Sequence, residues 1–298
     1  MNKYLLGWFF LLCLLFSTSV KAEGDGKRLH IISYNIWNGF EKDATRKARF
    51  IDWVKSQNPD IVALEELVGF KTGDLEELAK TYGHPYVAMV KENGYPVGIT
   101  SRYPIEVVTK QVKGLWHGML HVKTCGLDVV VTHLSPFEWK YRLEEANKIT
   151  RYIQENQLDS CLVMGDFNAY SAFDADEVEK HVALKKSMTG WDASQKTYRN
   201  MRGNQFDYSV LSTFYAAGMV DACRMHTPLA SDRMSFPTAF YKKWEHGDKR
   251  LADISERLDY ILISSSLADA CIQGTVYRIP ETEGISDHYP VGITLLLR

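Results

Sequence analysis

Four short β-rich runs each end in side chains that bind cations, phosphates or protons. Ile31-Ile32-Ser33-Tyr34 leads into Asn35, Ile61-Val62-Ala63-Leu64 into Glu65-Glu66, Val129-Val130-Val131-Thr132 into His133, and Leu162-Val163-Met164-Gly165 into Asp166, with Asn168 two residues on. One such residue is an ordinary turn or cap. Four together describe a site, because open sheets take ligands at the edge where their strands end. Carboxylates with an Asn amide are hard oxygen donors of the kind that hold magnesium or manganese, and Glu66 and Asp166 fit that role. Asp259 interrupts the apolar run Arg257-Leu258-Asp259-Tyr260-Ile261-Leu262-Ile263, where an unpaired buried charge is expensive. His288, in Ser286-Asp287-His288-Tyr289-Pro290, is its natural partner, since a carboxylate on an imidazole fixes the tautomer and raises basicity. A salt bridge from Asp259 to Arg257 is the alternative. His133 and His288 have the chemistry to bind phosphate or move protons near neutral pH. His117, His121, His181, His226 and His246 have no matching partner nearby in sequence and are read as structural.

The elements that must carry these residues alternate along the chain from about Leu29 to Arg298, with no Pro/Gly/Ser-rich linker, repeat or long charge run between them. This is the pattern of one α/β domain. The runs from Leu29, Ile61, Leu127, Cys161 and Leu258 are apolar at most positions, as expected of central strands covered on both faces. Asp43 is placed to cap a helix through Lys55. Leu143, Ala146, Ile149 and Ile153 mark a second helical stripe, and Gly218 closes a third helix after Phe214-Tyr215-Ala216-Ala217.

Composition bounds the partners. The 298 residues carry 35 Lys+Arg against 37 Asp+Glu, which excludes binding to nucleic acid or anionic membranes through a large basic excess. Any phosphate must be recognised locally. Residues 1–22 combine Lys3, an apolar run from Tyr4 to Phe16 and Val20-Lys21-Ala22, which reads as a signal peptide cut after Ala22, leaving residues 23–298 as one exported domain, periplasmic or secreted. The run is too short for a membrane span, so no stable membrane insertion is expected after cleavage. Cys125, Cys161, Cys223 and Cys271 then remain, either as free buried thiols or in one of three disulfide pairings, and their wide spacing does not suit a zinc site.

Ser33-Tyr34-Asn35, Pro59-Asp60-Ile61-Val62-Ala63-Leu64-Glu65-Glu66, Thr132-His133-Leu134, Gly165-Asp166-Phe167-Asn168, Arg257-Leu258-Asp259-Tyr260 and Ser286-Asp287-His288 resemble, in order, the motifs of the endonuclease/exonuclease/phosphatase (DNase I-like) superfamily. The resemblance spans essentially the whole chain after residue 22. It implies a four-layer sandwich, two mixed β-sheets packed face to face with helices outside, and a metal-dependent cleft at one end of the sheets. By motif position it makes Glu66 the principal ligand of Mg2+ or Mn2+, with Asn35 and Asp287 completing the set. Asp166 would orient or activate water and Asn168 position the phosphate. Asp259 would orient His288, which acts as base or phosphate ligand, and His133 would bind phosphoryl oxygens or assist the leaving group. Glu65 stands where Gln is frequent, and Trp37 where some nuclease branches carry an acid, which tells against the abasic-site repair branch.

These motifs define the reaction and leave the substrate open. Two stretches mix aromatics with cations, Lys196 to Gln205 and Phe240 to Arg250, and with Arg142 at the start of a helix they supply Arg142, Arg199, Arg202 and Trp244 as candidate substrate contacts. That mixture makes nucleic acid the leading substrate class. A phosphatase or sphingomyelinase-like phosphodiesterase acting on small or lipid esters is the alternative, and a catalytically silent binding protein has no chemical need for the full set of acids and histidines.

Overall fold

The computed structural model describes residues 26–243 and 251–298. The expected signal peptide and Trp244 lie outside the described residues. Two six-stranded sheets form the centre. In one, β11 (Cys271–Val276), β12 (Val291–Leu297), β1 (Lys27–Asn35), β2 (Ile61–Glu65), β4 (Gly98–Ser101) and β3 (Tyr86–Met89) lie in that order. In the other the order is β5 (Glu106–Gln111), β6 (Met119–Thr124), β7 (Leu127–His133), β8 (Cys161–Asp166), β10 (Asp259–Ser264) and β9 (Met219–Asp221). Each sheet is mixed, with one parallel pair, β1 with β2 and β7 with β8, among antiparallel neighbours. The five central strands expected from sequence are all present and all interior to their sheets.

Alternation along the strands builds three apolar layers. Leu29, Ile31, Ile61, Ala63, Val129, Val131, Leu162, Met164, Ile261 and Ile263 meet between the sheets. The intervening residues face outward. Ile32, Tyr34, Val62 and Leu64 pack on Phe50, Trp53 and Val54 of α1 (Ala44–Gln57) and on Leu75, Leu78 and Ala79 of α2 (Thr72–Thr81). Val130, Val163 and Leu262 pack on Ala146, Ile149 and Ile153 of α3 (Trp139–Glu155), and on Phe214 of a later helix, Ser209–Ala216. The result is the expected four-layer sandwich, each buried aliphatic chain contributing about 1.5–3 kcal/mol over exposure. Asp43 caps α1 by accepting from Thr45 N at 2.8 Å and Arg46 N at 3.2 Å. All four cysteines described are free thiols, three of them buried. Among the described residues no helix is long and apolar enough to cross a membrane.

Candidate active site

The inner-face alternation does not stop where the apolar residues stop. Continued by one step it reaches Asn35 on β1, Glu65 on β2, His133 on β7, Asp166 on β8, and at the start of β10 it reaches Asp259. Strand register brings these together. The parallel pairs set Asn35 beside Glu65 and His133 beside Asp166, and the antiparallel β8–β10 pair sets Asp259 opposite Asp166. The site is therefore the mouth of the core between the sheets. Glu66 follows at φ 58°, a left-handed conformation that ends β2 and separates its carboxylate from that of Glu65. Gly165 has φ 140°, and a Cβ there would lie 1.9 Å from the carbonyl oxygen of Thr132. That close approach accounts for the glycine of Gly165-Asp166-Phe167-Asn168.

Asn35 is the link between the sheets. Its Nδ2 donates to Asp166 Oδ2 at 3.0 Å and to Glu66 Oε1 at 3.3 Å, while its Oδ1 accepts from Trp37 N at 3.0 Å. Glu66 Oε2 accepts from Asn38 N at 2.9 Å. His288 and Asp259 form the expected pair, Nδ1 to Oδ2 at 2.8 Å, and Ser235 Oγ donates to the same carboxylate oxygen at 2.6 Å. The alternative partner is engaged elsewhere, for Arg257 is buried against Asp221 and Asp174. His288 Nε2 lies 3.9 Å and His133 Nε2 3.4 Å from Asp166 Oδ2. Asn168 N donates to Asp166 Oδ1 at 2.9 Å, and its side-chain amide donates to Leu134 O at 3.2 Å. Ser286 Oγ donates to Asn35 O at 2.7 Å, tying the loop that carries Asp287 and His288 to β1.

The electrostatics follow from crowding acids in a buried place. Burial, with Asp259 nearby, pushes Asp166 up to about 8 and Glu65 well above the carboxylate range. Burial also raises Glu66, helped by Asp287, and raises Asp287 itself. Burial alone would lower His288, but Asp259 and Asp287 outweigh it and hold the imidazole well above its ordinary value. His133 is driven the other way, by burial and then by His117 and His288. The two histidines of the site are thus pushed in opposite directions, His288 up and His133 down.

Among the described residues, Glu65 Oε2 and Asp259 Oδ1 are buried without a hydrogen-bond partner. Orphaned carboxylate oxygens in a cluster of acids facing one imidazolium are a donor set that fits a hard divalent cation. Asp166, Asp259 and His288 bring ligand atoms within 4.8 Å of one another, with Asp259 Oδ2 already paired to His288 Nδ1. Glu66, Asp287 and Asp166, with the unpaired oxygens of Glu65 and Asp259, are the carboxylates that could hold an ion.

A cleft of about 380 Å3 opens over this cluster, lined by Glu66, His133, Asp166, Asn168 and His288, and further by Trp37, Asn38, Tyr95, Trp116, His117, Pro136 and Phe137. The expected substrate arginines are not there. Arg142 is buried and donates to Ser135 O at 2.9 Å and Asn200 Oδ1 at 2.8 Å, so it fastens loops beneath α3 and the expectation that it receives phosphate is corrected. The N-terminus of α3 is likewise filled, by Glu138 accepting from Lys140 N at 3.1 Å. Arg199 donates to Gln195 O and Tyr198 O, both at 2.7 Å, and Arg202 lies over the Trp139 ring at 5.0 Å. His117, expected from sequence to be structural, lines the cleft. Its ring stacks on His133 with centroids 4.2 Å apart, and burial, then Lys91, push it down to about 3. The β6–β7 hairpin brings it there, pairing Met119 with Thr132 and so setting the residues just before β6 beside His133.

A cluster of buried acids, a carboxylate-held imidazole and a cleft at the open end of a two-sheet sandwich are an arrangement suited to phosphoester hydrolysis. The chain belongs to the endonuclease/exonuclease/phosphatase family, whose sequence profile matches residues 32–288. Its fold is similar to an AP endonuclease from Archaeoglobus fulgidus, at 20% identity and TM-score 0.66, covering 90% of this chain and 99% of that one. It is also similar to the 3′ phosphatase NExo from Neisseria bound to product DNA hairpin, at 17% identity and TM-score 0.63, covering 89% of this chain and 98% of that chain. The 3′-5′ exonuclease NExo from Neisseria meningitidis matches at 18% identity and TM-score 0.63, covering 91% of this chain and 100% of its own. No curated protein matches the sequence at a significant level.

Proposed function

We propose that the protein is an exported, divalent-metal-dependent phosphoester hydrolase that uses water as the nucleophile. The observation that carries the reading is the His288–Asp259 pair at 2.8 Å, facing Asp166 and the cleft. Asp166 would take the proton of the attacking water, its carboxyl tuned toward neutrality by burial and Asp259. His288, cationic and held in one orientation, would bind a phosphoryl oxygen as charge builds on it, and the Asn168 amide would fix the ester beside it. His133 has a buried Nδ1 without a partner, so its usable edge is Nε2, which faces Asp166 and the leaving-group side of the cleft. A magnesium or manganese ion held by Glu66 and Asp287 would supply Lewis-acid neutralisation of the phosphate. Export rests on the apolar, signal-like residues 1–22.

Of the two substrate readings, the cleft supports the compact ester over a long nucleic-acid strand. Among the described residues no Lys or Arg lines it, whereas binding a polyanion draws on several phosphate contacts. The hydrolase reading is tested by assaying the purified protein with magnesium or with EDTA on small phosphomonoesters and phosphodiesters, lipid head-group esters and DNA. Turnover that requires both metal and His288 is the expected result. No turnover of any ester by folded protein with either metal overturns it.

A further inference from the structure

One wall of the cleft is aromatic to a degree that phosphate chemistry does not require. Trp116 makes edge contacts with Phe137, Tyr141 and Tyr198 at centroid distances of 5.9, 5.5 and 5.9 Å. Phe137 in turn stacks on Trp191 at 6.1 Å with rings 17° apart. Tyr95 joins through His117 at 5.3 Å, and His117 lies on His133, so the wall runs without a break into the catalytic cluster. Tyr95, Phe137 and Tyr198 nonetheless leave 41%, 40% and 39% of their surface exposed. A contiguous exposed aromatic surface beside a reactive site is costly to keep and is a binding feature. Trp37 closes the opposite side, braced edge-on against Phe240 at 5.1 Å.

We propose that this cleft binds a small phosphoester whose organic part is a single ring with an apolar face, seated against Phe137 and Tyr95 with its phosphoryl group at His288 and Asn168. The proposal rests on the hydrolase reading and names its substrate class. Three observations converge on it. The cleft holds about 380 Å3, near the lower end of the range for small-molecule sites, which matches one ring and one phosphate rather than a strand. Its wall offers π-faces and edges that stack on any flat or apolar-faced ring. No described Lys or Arg lines it to follow further phosphates. The ring belongs either to a nucleobase or to a sugar, and the two are separable by experiment.

The test compares steady-state kinetics, with magnesium, on thymidine 5′-monophosphate, glucose 1-phosphate, the ring-free ester glycerophosphocholine and a 20-nucleotide single strand. Phe137→Ala and Tyr95→Ala are suitable variants because both side chains are exposed. Expected is a KM for one ring-bearing ester at least tenfold below that of glycerophosphocholine. Each alanine variant should raise that KM about tenfold with kcat within threefold and leave the ring-free KM within twofold, while the conservative Phe137→Tyr and Tyr95→Phe should keep the wild-type KM. Preference for the thymidine ester identifies a base, and preference for glucose 1-phosphate a sugar. Equal KM changes on ring-bearing and ring-free esters overturn the proposal, as does a strand bound at least tenfold more tightly than either small ester. If no ester is turned over, the hydrolase reading fails separately, and quenching of tryptophan fluorescence by thymidine 5′-monophosphate in EDTA still judges the cleft. Quenching in wild type that weakens tenfold in Phe137→Ala supports ring binding, and its absence refutes it.

Discussion

Two buried charged clusters sit within two residues of each other at the start of β10, and they are built on opposite principles. Arg257 donates to Asp221 Oδ1 and Oδ2, both at 2.7 Å, and to Asp174 Oδ2 at 3.1 Å, while Arg233 closes on Asp174 from the other side. Two guanidinium groups meet two carboxylates and the charges cancel. Asp259, two residues later, belongs to a cluster where Glu65, Glu66, Asp166 and Asp287 outnumber one cationic imidazole and two carboxylate oxygens have no partner. Balance marks the structural cluster, and imbalance marks the one with work left to do.

The largest effects separate the two clusters by kind. Asp166→Asn should lower kcat about a thousandfold or more, with thermal unfolding no worse than wild type because it relieves the crowding of acids, and His288→Ala should lower kcat as far while giving up the stability of its pair with Asp259. A fall in melting temperature for Asp166→Asn would place that residue in the structural class. Arg257→Ala should do the reverse and cost roughly 3–5 kcal/mol of stability in urea unfolding, since Asp174 and Asp221 would be left buried and under-compensated. If it unfolds as wild type, the balanced cluster is not a support.

Metal provides a sharper contrast. Saturating magnesium at pH 8 should stabilise the protein against unfolding by roughly 2–3 kcal/mol relative to EDTA, and by less at pH 5, where the ligands are protonated. Arg257→Met, if it folds, should keep that increment, whereas Glu66→Gln should lose most of it. The smallest effect is on pH dependence. Asp166 and Glu65 have folded pKa values above their unfolded ones, so the folded state holds protons that the unfolded chain has released. Stability without metal should therefore fall as pH rises from about 4 toward 8. His288 acts in the same direction, its contribution being full below about 6.5 and lost as pH rises through its raised folded value. His117, pushed down to about 3, acts oppositely and costs stability as pH falls below about 6.5. Melting curves in EDTA at pH 6.5 and 8.5 should show the higher value at 6.5, and Glu65→Gln should narrow the gap.

Sequence made the site legible wherever a chemical group sits at the end of a strand buried on both faces. Asn35, Glu66, His133 and Asp166 are legible that way, and the central strands with them, while Asp259 is legible as an acid inside an apolar run and His288 as the partner it needs. The edge strands β3 and β5 were not legible, β5 being exposed at most positions and β3 only four residues long, and the interior strand β4 is as short, so none carries a strong apolar signature. Arg142 misled because a cation at a helix start looks like surface. Its spacing to Ala146, Ile149 and Ile153 puts it on the buried stripe of α3, where packing decides. His117 and Phe137 come to the cleft through hairpin and loop geometry, which no local pattern encodes.

The amide of Asn35 spans the gap between one sheet and the other, holding Glu66 and Asp166 from opposite layers. Catalysis consequently reports on docking rather than on secondary structure. A chain with both sheets formed but shifted against each other by one residue would keep its circular dichroism and have no active centre. In refolding, activity should be the last signal to return, which makes turnover a more stringent gauge of the native interface than any measure of strand content.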